Sequence, residues 1–156
     1  MARARISDSA GLAALAAVAR LNDTGLGSAA VNAAAQGSAA VNDAVVNDAA
    51  QNDAPDRATL ATAVRYTLQV LAERAKGNTV EVRVPPFAAV QCIEGPGHTR
   101  GTPPNVVEMD APTWLSLVTG SLDWTTGVEA GRIHASGQRA DLRGYVPLAG
   151  MRPEAR

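Results

Sequence analysis

Residues 55–84 read PDRATLATAVRYTLQVLAERAKGNTVEVRV, and the apolar period changes part-way along. In the first part Leu60, Val64, Leu68, Leu71 and Ala75 recur at helical spacing. In NTVEVRV, Val80, Val82 and Val84 alternate with Glu81 and Arg83. The passage predicts a helix followed by a half-buried strand with one wet face. Asp56 is placed to cap the helix, and Gly77 suits a left-handed residue after its end. Pro85-Pro86 stops the strand, and FAAVQCI reads as a second strand, close enough to pair as a hairpin.

Downstream, NVVEMD reads as a short third strand. Asp110 starts a helix through APTWLSLVTG, with Pro112 tolerated in the first turn and Gly120 closing it. Within it Trp114 shares a face with Leu117 or Val118. SLDWTTGVEAG is a second short helical piece ending at Gly131, and RIHAS is a fourth strand. Gly137 turns into QRADLRGYVPL, a short helix or coil. Strands and helices do not alternate regularly. The expected fold is therefore α+β, a mostly antiparallel sheet with helices packed on one face.

Upstream, residues 21–55 divide into pentamers: LNDTG, LGSAA, VNAAA, QGSAA, VNDAV, VNDAA, QNDAP. A period of five cannot hold one helical face, because each step advances about 140°. It does not fit a strand alternation either. In a pentapeptide β-helix the Asn or Asp precedes the central apolar residue, whereas here Asn follows Val. Asn, Asp, Gly and Ser favour turns, so the segment is expected to be a low-complexity spacer. Residues 1–20 are then a short alanine-rich satellite helix, 56–148 the folded domain and 149–156 a tail. MARAR followed by GLAALAAVA resembles an export signal, but Asp8 and Ser9 interrupt it and the apolar run is weakly hydrophobic alanine.

The chain has 156 residues, enough for one well-cored domain, and a net charge of −1 with both signs mixed along it. A nucleic-acid binder would show a basic stripe. Hydrophobic residues make up 46%, yet aromatics only 3%, so the core must rest on Val, Leu and Ile. A single cysteine forms no internal disulfide and suits a reducing cytoplasm. No apolar run approaches the about 18 residues of a membrane span.

The stretch CIEGPGHTRGTPPNVVEMD, residues 92–110, gathers the most reactive side chains. Cys92, His98 and Asp110 supply the types of a nucleophile, a base and an orienting acid. However, Cys92 falls inside a strand, where a lone cysteine is usually a small apolar residue, and no signature motif surrounds it. His98, His134 and Glu108 could form a two-histidine, one-carboxylate metal site, but they sit on separate elements without local ligand spacing. GPGHTRG lacks the Gly-Lys-Ser/Thr and following helix of a phosphate loop. Arg100 either meets an anionic head group bidentately or pairs with Glu94 or Glu108 for structure.

The run NVVEMDAPTWLSLVTGSLDWTTGVEAGRIHASGQRADLRGYVPL resembles the second half of the sterol carrier protein family. The shared marks are Val106 to Asp110, Trp114 to Gly120, Gly131, Ile133 and Gly137. The front half, with PPFAAVQ and HTRGTPPNVVE, is similar to a bacterial branch of carrier-like domains. The likeness covers about residues 55–148. It implies a twisted sheet with helices on one face and an apolar pocket between them, holding fatty acids, acyl-CoA or other lipids without catalysis. The GPGHTRGTPP insertion departs from animal sterol carriers, so a fatty acid or acyl-CoA is expected over a sterol.

On this reading Val82, Val90, Trp114, Leu117, Val118 and Trp124 are the pocket candidates. His98, Arg100 and Thr102 form a polar rim. No cofactor, metal or catalytic residue is expected. The partners are a lipid or small apolar ligand, with no nucleic acid and no integral membrane association. The alternative is an interaction module whose pocket is filled by its own side chains, in which both tryptophans are plain core. A third reading is a partner subunit of a metal-dependent, thiol-linked isomerase. The same domain forms the C-terminal half of maleylpyruvate isomerases, but residues 1–54 lack the helical His cluster those carry.

Overall fold

A computed structural model describes residues 4–23, 55–96, 101 and 103–151. The pentamers from residue 24 to 54 lie outside these, as do His98, Arg100 and Thr102. The elements in chain order are α1 (Asp8–Asp23), α2 (Arg57–Arg74), β1 (Val80–Val84), β2 (Ala88–Cys92), β3 (Val106–Met109), α3 (Ala111–Thr119), α4 (Trp124–Glu129) and β4 (Ile133–Ser136). The fold is α+β. The sheet order is β2-β1-β3-β4, with β1–β2 and β3–β4 antiparallel and β1–β3 parallel.

The alternation in β1 sets the two sides of the sheet. Val80, Val82 and Val84 are fully buried, while Glu81 and Arg83 lie on the opposite, open face, where they pair with each other. The register carries this division across the sheet. Val82 stands between Val90 and Val107, and Met109 is beside Ile133. On the open face Arg83 is level with Glu108, which faces His134.

The helices cover the apolar side. Asp56 caps α2 by accepting from the Thr59 N–H at 2.8 Å, and Asp110 caps α3 through Thr113 N–H at 2.8 Å. Gly120 closes α3 in the left-handed conformation. At the end of α2 the expectation fails in detail, because Ala75 takes the cap position. Gly77 is needed for another reason: a Cβ there would lie 2.0 Å from the Ile93 carbonyl oxygen.

The core passes around α2. Leu60, Val64, Leu68 and Leu71 are buried as their spacing predicts, and so are Ala63, Tyr66, Thr67 and Val70. A helix buried on most sides needs cover beyond one sheet, and α1 and α3 supply it. Helix α1 packs along α2 and adds Ala14, Leu15 and Val18 to the same core. Gly11 makes the approach close enough: a Cβ on it would fall 2.0 Å from the Tyr66 ring. The segment leading into α1 is fastened too. Ile6 N–H donates to Gln69 Oε1 at 2.9 Å, and Gln69 Nε2 donates back to the Ile6 carbonyl at 3.1 Å. Arg5 reaches Glu73 through Nε at 3.0 Å and its second nitrogen at 3.3 Å.

Because β1 separates β2 from β3, residues 93–105 do not close a hairpin between neighbours. The connection leaves Cys92 and rejoins at Val106 on opposite sides of β1, both level with its start. Asn105 pins its far end, donating to the Thr79 carbonyl at 3.0 Å and accepting from Arg139 N–H at 3.0 Å. Past β4 the chain is irregular, yet Leu142, Leu148 and Met151 are buried.

Candidate functional site

Trp114 fixes the centre of the interior. Its indole Nε1 donates to Thr67 Oγ1 at 2.8 Å, and that hydroxyl donates to the Ala63 and Val64 carbonyls at 2.9 and 3.0 Å. Every polar atom of this buried pair has a partner. Val82, Trp114, Leu117 and Val118 are at most 1% exposed, and Trp124 is also buried. These five pocket candidates pack into the core between sheet and helices.

The sixth, Val90, borders a groove. It lies on the flank of the molecule between α2 and the edge strand β2, with a volume of about 430 Å³. This is within the range of small-molecule sites, roughly 300–1,000 Å³. Ala72, Ala88, Ala89 and Val90 give it an apolar floor, and Ala4 closes one side. Arg65, Gln69 and Glu73 stand along it at helical spacing, and Lys76 follows just past the end of α2. Thr67, which meets Trp114, is about 200° around the helix from Arg65, so the groove and the tryptophan core occupy opposite sides of α2.

The charges in the groove are not equivalent. Glu73 is held below the usual carboxylate range, first by its hydrogen bond to Arg5. Arg65 Nε donates to the Phe87 carbonyl at 3.2 Å, which orients the guanidinium over the start of β2. Its terminal nitrogens have no partner among the described residues. The sequence offered Arg100, outside the described residues, either as an anion contact or as a structural pair of Glu94 or Glu108. It did not single out Arg65, Gln69, Ala72 or Lys76, although the spacing of four and three residues from Arg65 through Gln69 to Ala72 marks one stripe on α2.

The reactive side chains of residues 92–110 that lie among the described residues do not converge. Cys92 is fully buried on the apolar side of β2, level with Val80 at the start of β1. Asp110 follows β3 at the opposite end of the sheet, about five residues or ~16 Å further along, and its carboxylate is used as a helix cap. Glu108 and His134 are cross-strand neighbours on the open face. Among the described residues no group of three His, Cys, Asp or Glu is arranged to hold a metal. Also among them, no helix is long and apolar enough to cross a membrane.

Burial raises the Cys92 thiol from its ordinary 9.0 to about 11. The folded value lies above the unfolded one, so the associated stability is complete below pH 9 and is lost as pH rises through about 11. Native protein should therefore resist an aromatic disulfide reagent at pH 8 and react fully in denaturant. A Cys92→Ala variant should show a flatter alkaline limb of stability against pH. Rapid labelling of the native thiol would contradict its placement.

No curated protein matches the chain. The family model described as a bacterial SCP ortholog matches residues 56–148, from the cap of α2 to the buried Leu148, and so covers all four strands and every helix except α1. The chain belongs to this bacterial sterol-carrier-protein ortholog family.

Proposed function

We propose that this protein is a non-enzymatic cytoplasmic binder and carrier of a lipid or other small apolar ligand, a fatty acid or acyl-CoA rather than a sterol. Membership of the family supports a lipid-binding role. The observation that carries the reading is the flank groove, which combines an alanine and valine floor with cations on its rim. Apolar lining supplies affinity and a few polar groups supply orientation. Each buried methylene contributes about 0.8 kcal/mol.

Native mass spectrometry of the freshly purified chain, before and after mixing with fatty acids and acyl-CoA, should reveal one bound equivalent. Val90→Glu should lower the affinity at least about tenfold, since it sets a carboxylate in an apolar floor. Its melting temperature should change little, because Val90 is only half-buried. No bound species across the panel would end the carrier reading.

One observation favours a second reading, an interaction module. The space between sheet and helices is occupied by Trp114, Leu117 and Val118. Under that reading the Val90→Glu protein would bind apolar ligands no differently from wild type.

A further inference from the structure

The groove has a wall that the family match does not include. Ala4 lines it, 52 residues before the match begins at residue 56. The arm carrying Ala4 is held by Gln69 and Glu73, which themselves border the groove. Both side chains spend their polar ends on the arm: Gln69 exchanges two hydrogen bonds with the Ile6 backbone, and Glu73 pairs with Arg5. They therefore present few free polar atoms to the groove. With the arm docked, what remains is apolar apart from its two ends. Lys76, at one end, shares the field of Glu73. Arg65, at the other, is oriented through Nε and keeps its terminal nitrogens unpartnered among the described residues.

We infer that the groove is a composite site for a single-chain carboxylate: Arg65 receives the acid, the Ala72, Ala88 and Val90 floor receives the chain, and Ala4, on the arm fastened through Arg5 and Ile6, forms the second wall. This rests on the carrier reading and narrows it. A planar guanidinium matches a carboxylate bidentately. Because the ligand touches a wall that is docked, ligand and arm stabilise each other reciprocally.

The test is calorimetry on the full chain with decanoate and with decanol, its neutral analogue, together with amide exchange at Ile6. Wild type should bind decanoate the more tightly, and longer acids should gain roughly fourfold per added methylene while the floor lasts. Arg65→Gln should cost at least about tenfold for decanoate and leave decanol unchanged. Arg5→Ala touches only the fastening of the arm, and should weaken both ligands about fivefold or more. Saturating decanoate should slow exchange of the Ile6 amide, which donates to Gln69. The inference is overturned if Arg65→Gln binds decanoate as wild type does, if Arg5→Ala loses affinity for decanoate alone, or if Ile6 exchange is indifferent to ligand. Those results leave the carrier reading intact. Wild type that binds neither ligand ends both.

Discussion

Val82→Asp should give a chain with no cooperative thermal transition. Val82 has no exposed surface, and it sits in the inner strand β1 between Val90 of β2 and Val107 of β3. An aspartate there has no cation within the apolar layer, since Arg83 points to the opposite face. A buried carboxylate without a partner costs several kcal/mol even after relaxation. The lost valine burial adds about 1.5–3 kcal/mol. A domain of this size has only about 5–15 kcal/mol to lose. Circular dichroism against temperature decides it, and a sharp transition at the wild-type temperature would mean that β1 does not face the core as described. Arg83→Asp, one residue along on the wet side, should leave most of the transition intact.

Trp114→Ala should cost about 3–5 kcal/mol, the range for emptying an aromatic site in a packed core. The indole touches helix α2 through a hydrogen bond as well as by contact, so the site has two separable parts. Thr67→Val retains the shape and strands the indole N–H, which should cost about 1–3 kcal/mol. Trp114→Phe removes the donor together with most of the ring's excess volume. In the double variant Thr67→Val, Trp114→Phe, the orphaned donor is gone, so the cost should fall below the sum of the singles by about 0.5–3 kcal/mol. Urea midpoints at constant slope provide the measurement. Additive effects would show that Thr67 and Trp114 are not coupled.

The elements that were legible in the sequence are those whose own composition closes them. Strand β1 could be read because one face is wet. Helices α2 and α3 could be read because Asp56 and Asp110 are short acids immediately before apolar periodicity. The parallel pairing of β1 with β3 was not legible, since strand signals carry no neighbour information. Nor was the docking of α1. Its alanine stripe is weak, and nothing in the sequence pairs Gly11 with the ring of Tyr66. The irregular stretch after β4 hid Leu142, Leu148 and Met151 for the same reason, as burial without periodicity leaves no pattern.

For the site, residue types were a poor guide and position was decisive. Trp114 and Trp124 attracted attention as large aromatics, yet they are buried with the core residues. The groove is made of alanines and of the stems of Arg65, Gln69 and Lys76, none conspicuous alone. Only Val90 belonged to both the expected pocket and the groove. Cys92, read from its place in a strand as a small apolar residue, lies on the apolar side of β2, where burial pushes its thiol up.

The contact of α1 with α2 bears on how relatives can diverge. A chain of this fold that begins directly at the equivalent of Asp56 would leave the Tyr66 ring uncovered where Gly11 lies against it, and would have no use for glutamine and glutamate at 69 and 73 in fastening an arm. Solubility would then favour a polar substitution at 66. The identities at 66, 69 and 73 therefore form a signature, readable from any relative's sequence, of whether its second helix is roofed by an upstream one.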